Sequence, residues 1–163
     1  MGESKALKLQ KFYEYMYSHL SGLTKVSFDF FGMTMDYPDG SYDLGIGQRN
    51  LDVLNNADFV SPMMYPSHYP DGYLGLSNPA DFPYAVIRAG LDKSIDIFDN
   101  QKTKVRPWIQ AFHIGAYYNQ YMIKEQVRAV EESDYTDGWL LWNAANKYPD
   151  YIFDIFEKAN DTE

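Results

Sequence analysis

The sequence predicts an α/β fold: a leading helix followed by four parallel strand–helix units. Three observations carry that expectation. The run Phe59–Met64 is apolar apart from Ser61, the mark of a strand covered on both faces. Apolar positions recur at helical spacing over residues 5–20, 80–99 and 120–133. Strand starts lie roughly 33, 46 and 34 residues apart, the interval of successive βα units joined by right-handed crossovers. Two architectures satisfy this pattern, a small doubly wound sheet or half of a (β/α)8 barrel. A closed barrel typically takes about 250 residues, whereas these 163 read as one domain, residues 1–163.

In chain order, Met1-Gly2-Glu3-Ser4-Lys5 is polar and is not a signal peptide. The first helix, 5–20, sets Leu9, Phe12, Met16 and Leu20 near one face and ends at Ser21-Gly22. Leu23 to Phe31 is β-rich and closes at Gly32. Residues 33–47 read as a polar loop with Asp36, Asp39 and Asp43, and 48–55 as a short helical stretch. The second strand leaves the sheet through Tyr65-Pro66-Ser67-His68-Tyr69, where Pro62 and Pro66 forbid a helix. The following loop, 66–79, has the length and Tyr-Gly-Pro content of a functional loop. Helix 80–99 opens at Phe82 and buries Val86, Ala89, Ile95 and Phe98. A third strand spans 104–112, and a loop rich in His, Gly, Tyr and Asn covers 113–119. Helix 120–133 buries Ile123, Val127 and Val130, with Glu131 and Glu132 solvated. The fourth strand is 138–143. Pro149 then sits in the first turn of a last helix, 150–159, which buries Ile152, Phe153 and Phe156, and 160–163 fray.

Composition excludes several classes of partner. A net charge of -9 repels a phosphate backbone, so nucleic acid is not expected. There is no basic stripe for a membrane surface and no apolar run of membrane-spanning length. Zero Cys removes thiol nucleophiles, disulfides and Cys-based metal sites. His19, His68 and His113 share no ligand spacing, so neither a metal nor a cofactor is expected. Gly45-Ile46-Gly47-Gln48 lacks the third glycine and the Lys-Ser/Thr of a phosphate loop. The unusual figure is 17% aromatic residues, with 15 Tyr and 3 Trp. Loop aromatics offer an apolar face and a hydrogen bond together, which suits sugars.

Strand C-terminal ends are where α/β folds place ligands. There Asp29 is a carboxylate inside an apolar strand, either facing a pocket or tied structurally to a backbone amide or to Arg106. Tyr65 and His68 leave the second strand together, and His68 either orients a hydroxyl and moves a proton or bonds to the backbone. Arg106, Trp108 and Gln110 alternate onto one face, and Trp142-Asn143 ends the fourth strand in the same style. The aromatic rings stack on a sugar or simply pack, and the amides read hydroxyls. Asp134 and Asp137 precede the fourth strand and so lie at the opposite end. No Ser-His-Asp arrangement stands out.

Five stretches then come in a recognisable order: Val26-Ser27-Phe28-Asp29-Phe30-Phe31-Gly32, Leu44-Gly45-Ile46-Gly47-Gln48, Ser61-Pro62-Met63-Met64-Tyr65-Pro66-Ser67-His68-Tyr69, Arg106-Pro107-Trp108-Ile109-Gln110 and Trp142-Asn143-Ala144-Ala145-Asn146. With them the chain resembles a bacterial family of glycosyl hydrolase domains of unknown function, TIM-barrel proteins distantly related to the α-amylase-like glycosidases. The likeness covers about residues 20–148. It implies that the chain corresponds to the second half of such a barrel, strands five to eight. It also implies a carbohydrate ligand, and a secreted or envelope setting of the kind common in the family. The family's preceding strand ends in Asp-Tyr-(Ile/Val)-Arg-Phe-Pro, and related glycosidases carry their usual nucleophile candidate at that strand end. These residues hold no counterpart of it, so the resemblance implies no turnover by this stretch alone.

Together these readings make Asp29 the acid candidate and Tyr65, His68, Trp108, Gln110, Trp142 and Asn143 the sugar-lining residues. Glycoside hydrolysis takes two carboxylates, about 5–5.5 Å apart for retention or about 6.5–9.5 Å for inversion. The strand ends offer Asp29, with Asp36, Asp39 and Asp71 in loops. The expectation is therefore a glycosidase-like half-barrel that acts on or binds an oligosaccharide or polysaccharide. The alternative is a non-catalytic binding or structural half-barrel. An open half-barrel exposes its inner strand faces and two edges, so association with a second copy or with the missing N-terminal half is expected.

Overall fold

The structure is a computed structural model that describes residues 2–152, 154 and 155. Helix α1 (Lys5–Leu20) starts where the Ser4 hydroxyl accepts a hydrogen bond from the Leu7 amide at 3.2 Å. It buries Ala6 and Tyr13, with Leu9 packed on the core and Met16 and Leu20 half-buried on the face expected from the sequence. The Tyr13 ring lies 4.7 Å from Phe28 and 5.7 Å from Phe30, whereas Phe12 stays 48% exposed. Tyr13 takes the buried place expected of Phe12 because the first strand presents its aromatic rings there.

Among the described residues five short strands follow: β1 (Ser27–Phe31), β2 (Phe59–Met63), β3 (Lys104–Val105), β4 (Trp108–Gln110) and β5 (Leu140–Trp142). Every pairing is parallel. β1 lies beside β2, β2 carries both β3 and β4, and β4 lies beside β5. The sheet thus runs in chain order and has no switch point of the doubly wound kind among these strands. The expected third strand is split at Arg106-Pro107. Pro107 has no N–H to give, and its carbonyl accepts from Leu140 instead. The first strand starts four residues later than expected, at Ser27, with Leu23 standing exposed.

Helix α2 (Asn50–Val53) is a single turn. Helix α3 (Pro83–Phe98) has Pro83 in its first turn, where the missing N–H costs nothing. It buries Val86, Ile87, Gly90, Leu91, Ser94 and Phe98, while Ile95 is exposed and Ala89 half-buried, against expectation. That wide stripe serves two neighbours, α4 (Gln120–Glu131) and a 3-10 turn over Gly32–Asp36. α4 is capped by the Asn119 side chain and buries Ile123, Val127 and Val130 as the sequence predicts. The 3-10 turn buries Met35 completely in a segment that read as polar loop. Ile152 and Ile155 are buried in helical backbone, whereas Phe153, Phe156 and residues 160–163 of the expected last helix and its end lie outside the described residues.

Along β1 and β2 the two sheet faces differ. Phe30 and Val60, joined by Val105 and Ile109, belong to the core shared with the helices. Alternate residues Ser27, Asp29 and Phe31 on β1 are exposed, and Trp108 and Leu140 beside them are half-buried. This open face carries the polar and aromatic side chains described next.

Candidate active site

The open face is organised by Trp108. Its indole Nε1 donates a hydrogen bond to Asp29 Oδ1 at 2.9 Å, reaching from β4 past β2 to β1. Ser61, the register partner of Asp29 on β2, is fully buried and shares a 2.8 Å hydroxyl contact with Ser27. A small residue there leaves room for the indole. Trp142 meets Trp108 edge to face, with centroids 5.8 Å apart at 81°, and is 42% exposed. Two indoles and one carboxylate thus form a platform on the sheet. Arg106 is not the partner of Asp29. Its guanidinium stacks 3.7 Å from the Phe59 ring centre and pairs with Asp137, on the residue stretch that precedes β5.

The β1 backbone next to Asp29 is finished by Gln48. Its Oε1 accepts from the Phe31 amide at 2.8 Å and its Nε2 donates to the Asp29 carbonyl at 3.2 Å. The Val26 carbonyl accepts from β2, so by strand alternation the Asp29 and Phe31 backbone groups point to the outer edge. Gln48 therefore stands in for a neighbouring strand. The Gly45-Ile46-Gly47 stretch before it docks on α1: Lys5 Nζ donates to the Gly45 carbonyl at 2.8 Å, and a Cβ on Gly47 would come 2.8 Å from the Ala6 nitrogen. Close approach, with φ +91° at Gly47, accounts for that glycine without a phosphate.

Above the platform Tyr65, His68 and Phe112 form an aromatic corner. Tyr65 meets His68 at 5.2 Å and Phe112 at 5.4 Å, both edge to face, and His68 lies 5.9 Å from Phe112. Tyr65 is buried and His68 exposed. Burial, then the nearby Asp29 charge, then Tyr148, push the Tyr65 hydroxyl well above its ordinary range, so it stays protonated at neutral pH.

The two amides sit differently. Gln110 is fully buried: its Oε1 accepts from the Ser67 amide, and its Nε2 donates to the Phe112 and Ile114 carbonyls. Asn143 donates to the Ala111 and Lys147 carbonyls and accepts from the Ala145 amide. Both tie the loops after β2, β4 and β5 together, and their polar atoms are turned to backbone.

Two depressions flank this corner. One, of about 190 Å³, lies between Phe31, Leu44, Met63, Tyr65, His68 and Tyr69. The other is a wide groove of about 740 Å³ along Phe112, His113, Asn143, Lys147 and Tyr148. Sequence reasoning missed a third feature. Asp36 accepts from Tyr73 at 2.7 Å and pairs with Lys93 on α3, while its Oδ2 and the buried Tyr69 hydroxyl have no hydrogen-bond partner among the described residues. Only a Tyr-rich loop in the sequence signals it. Among the described residues no group of three His, Asp or Glu side chains could hold a metal ion, and no helix is long and apolar enough to cross a membrane.

A family model described as a "putative glycosyl hydrolase domain" matches residues 2–148. No curated protein and no solved structure matches the chain.

Proposed function

The chain belongs to the family described as a "putative glycosyl hydrolase domain", and on that premise we propose that it binds a carbohydrate on the open face of its sheet, as one half of a (β/α)8-type barrel. The observation that carries this reading is the Trp108 Nε1–Asp29 Oδ1 hydrogen bond. It orients an indole face and a carboxylate side by side, the pair of surfaces a pyranose ring presents its own apolar face and hydroxyls to. Trp142, its ring nearly perpendicular to that of Trp108, walls one side of the platform, and Asp29 keeps its second oxygen for a sugar hydroxyl. The neutral Tyr65 hydroxyl and exposed His68 form the polar rim. Gln110 and Asn143 act behind them by holding the loops.

Hydrolysis needs a second carboxylate across the scissile bond. Asp29 is the one acid on the described strands, and Asp36 is engaged by Lys93 and Tyr73. In this reading Asp29 serves as acid only when a complementary half supplies its counterpart; alone, the chain binds without turnover. Parallel strands in chain order and the uncovered face of β1 support the half-barrel. The complement is a second copy or a different chain segment bearing the other strands.

Calorimetric titration against a glycan panel tests the site. Trp108→Ala and Trp142→Ala should each weaken binding by about tenfold or more, the worth of about 1.5 kcal/mol of lost apolar contact. Unchanged affinity for every bound glycan in both variants would remove the platform from the account.

A further inference from the structure

The smaller depression beside the platform has a different character from the rest of the site. Resting on the carbohydrate reading above, we propose that it is a subsite for an aryl group carried by the bound glycoside. Its volume is about 190 Å³, and a cavity of about 150 Å³ with apolar walls is enough to take up benzene. Its wall is almost wholly apolar: Phe31, Met33, Leu44 and Met63 close it, with the rings of Tyr65 and Tyr69. Flat rings pack well edge to face against such a lining.

Location ties the pocket to the sugar. Phe31 follows Asp29 by two residues on the same face of β1, and Met63 is the register partner of both Phe31 and Trp108. Tyr65 is shared between pocket and rim, close enough to Asp29 to feel its charge. A glycoside on the platform therefore has one flank beside this opening. His68 lines the mouth.

One wall residue has a rare backbone conformation. Leu44 adopts φ +56°, a left-handed conformation that a branched apolar residue takes at a cost. Asn would sit there with less strain, and the Leu44 side chain lines the pocket.

The experiment compares 4-nitrophenyl and methyl glycosides of the same sugars, with free 4-nitrophenol as a probe of the pocket alone, by calorimetry and saturation-transfer NMR. The aryl glycoside should bind about tenfold or more tighter than its methyl counterpart, and 4-nitrophenol should bind by itself. Leu44→Asn relaxes the backbone while placing an amide in the wall, and should bring the aryl-to-methyl ratio toward one. Met33→Trp, which fills the space with a larger side chain from another lining position, should do the same. Equal binding of aryl and methyl glycosides overturns the subsite and leaves the carbohydrate reading intact. Binding of 4-nitrophenol that is lost in Leu44→Asn, with no glycoside bound, overturns the carbohydrate reading and with it the glycoside assignment. No binding of any of these probes overturns both.

Discussion

Trp108 does two jobs at once. Its ring lies on the sheet, and its indole N–H fixes the direction of Asp29. Tyr13 shows the same economy in the core, where it joins α1 to the rings of Phe28 and Phe30. Burial, with a smaller contribution from the Asp52 charge, pushes its hydroxyl up to about 12 from the usual 10. The unfolded chain would ionise Tyr13 near pH 10, and the folded chain only near 12. Its contribution is therefore complete below pH 10 and is lost as pH rises through that window. Burial raises Tyr65, Tyr118 and Tyr135 in the same direction. Stability measured by urea titration should fall steeply between pH 10 and 12, and Tyr13→Phe should remove part of that slope. A slope identical in the variant would show that Tyr13 ionises alike in both states.

At the level of elements, the outer edge of β1 is closed by a side chain in place of a strand. Gln48 satisfies the Phe31 amide and the Asp29 carbonyl together, which blunts an edge that would otherwise template pairing. Gln48→Ala should raise the associated fraction in light scattering; an unchanged mass distribution would mean that this edge takes no part in association. The succession of strands and helices was legible because each unit carries its own period, 2 or 3.6, in a contiguous stretch. The burial of Tyr13 in place of Phe12 on α1 was not, since which ring is buried depends on the rings β1 offers. The break at Pro107 was written in the sequence, yet the alternation of Arg106, Trp108 and Gln110 read through it. Asp29 and Trp108 were legible as strand-end residues, but their hydrogen bond spans 79 positions. Gln110 and Asn143 look like sugar-reading amides in the sequence. Their commitment to loop carbonyls depends on loops whose path is set by tertiary packing. Gln48 was hidden for the same reason, inside a stretch that invites a phosphate reading.

For the whole molecule, a parallel sheet in chain order with Phe31 and Trp142 standing exposed is a surface proteins seldom leave uncovered. Light scattering during gel filtration should therefore give a mass above that of one 18.9 kDa chain; a monodisperse monomer with little hydrophobic-dye binding would contradict the association part of the account. The sugar platform is tested separately and most directly by the indole N–H resonances of the 3 Trp residues in a glycan titration. Trp108 donates to Asp29, Trp142 stands at the platform's edge, and Trp139 packs partly buried against the core. A bound glycan should move the Trp108 and Trp142 signals saturably while Trp139 stays in place. A glycan that binds and moves neither of the two platform indoles would contradict it.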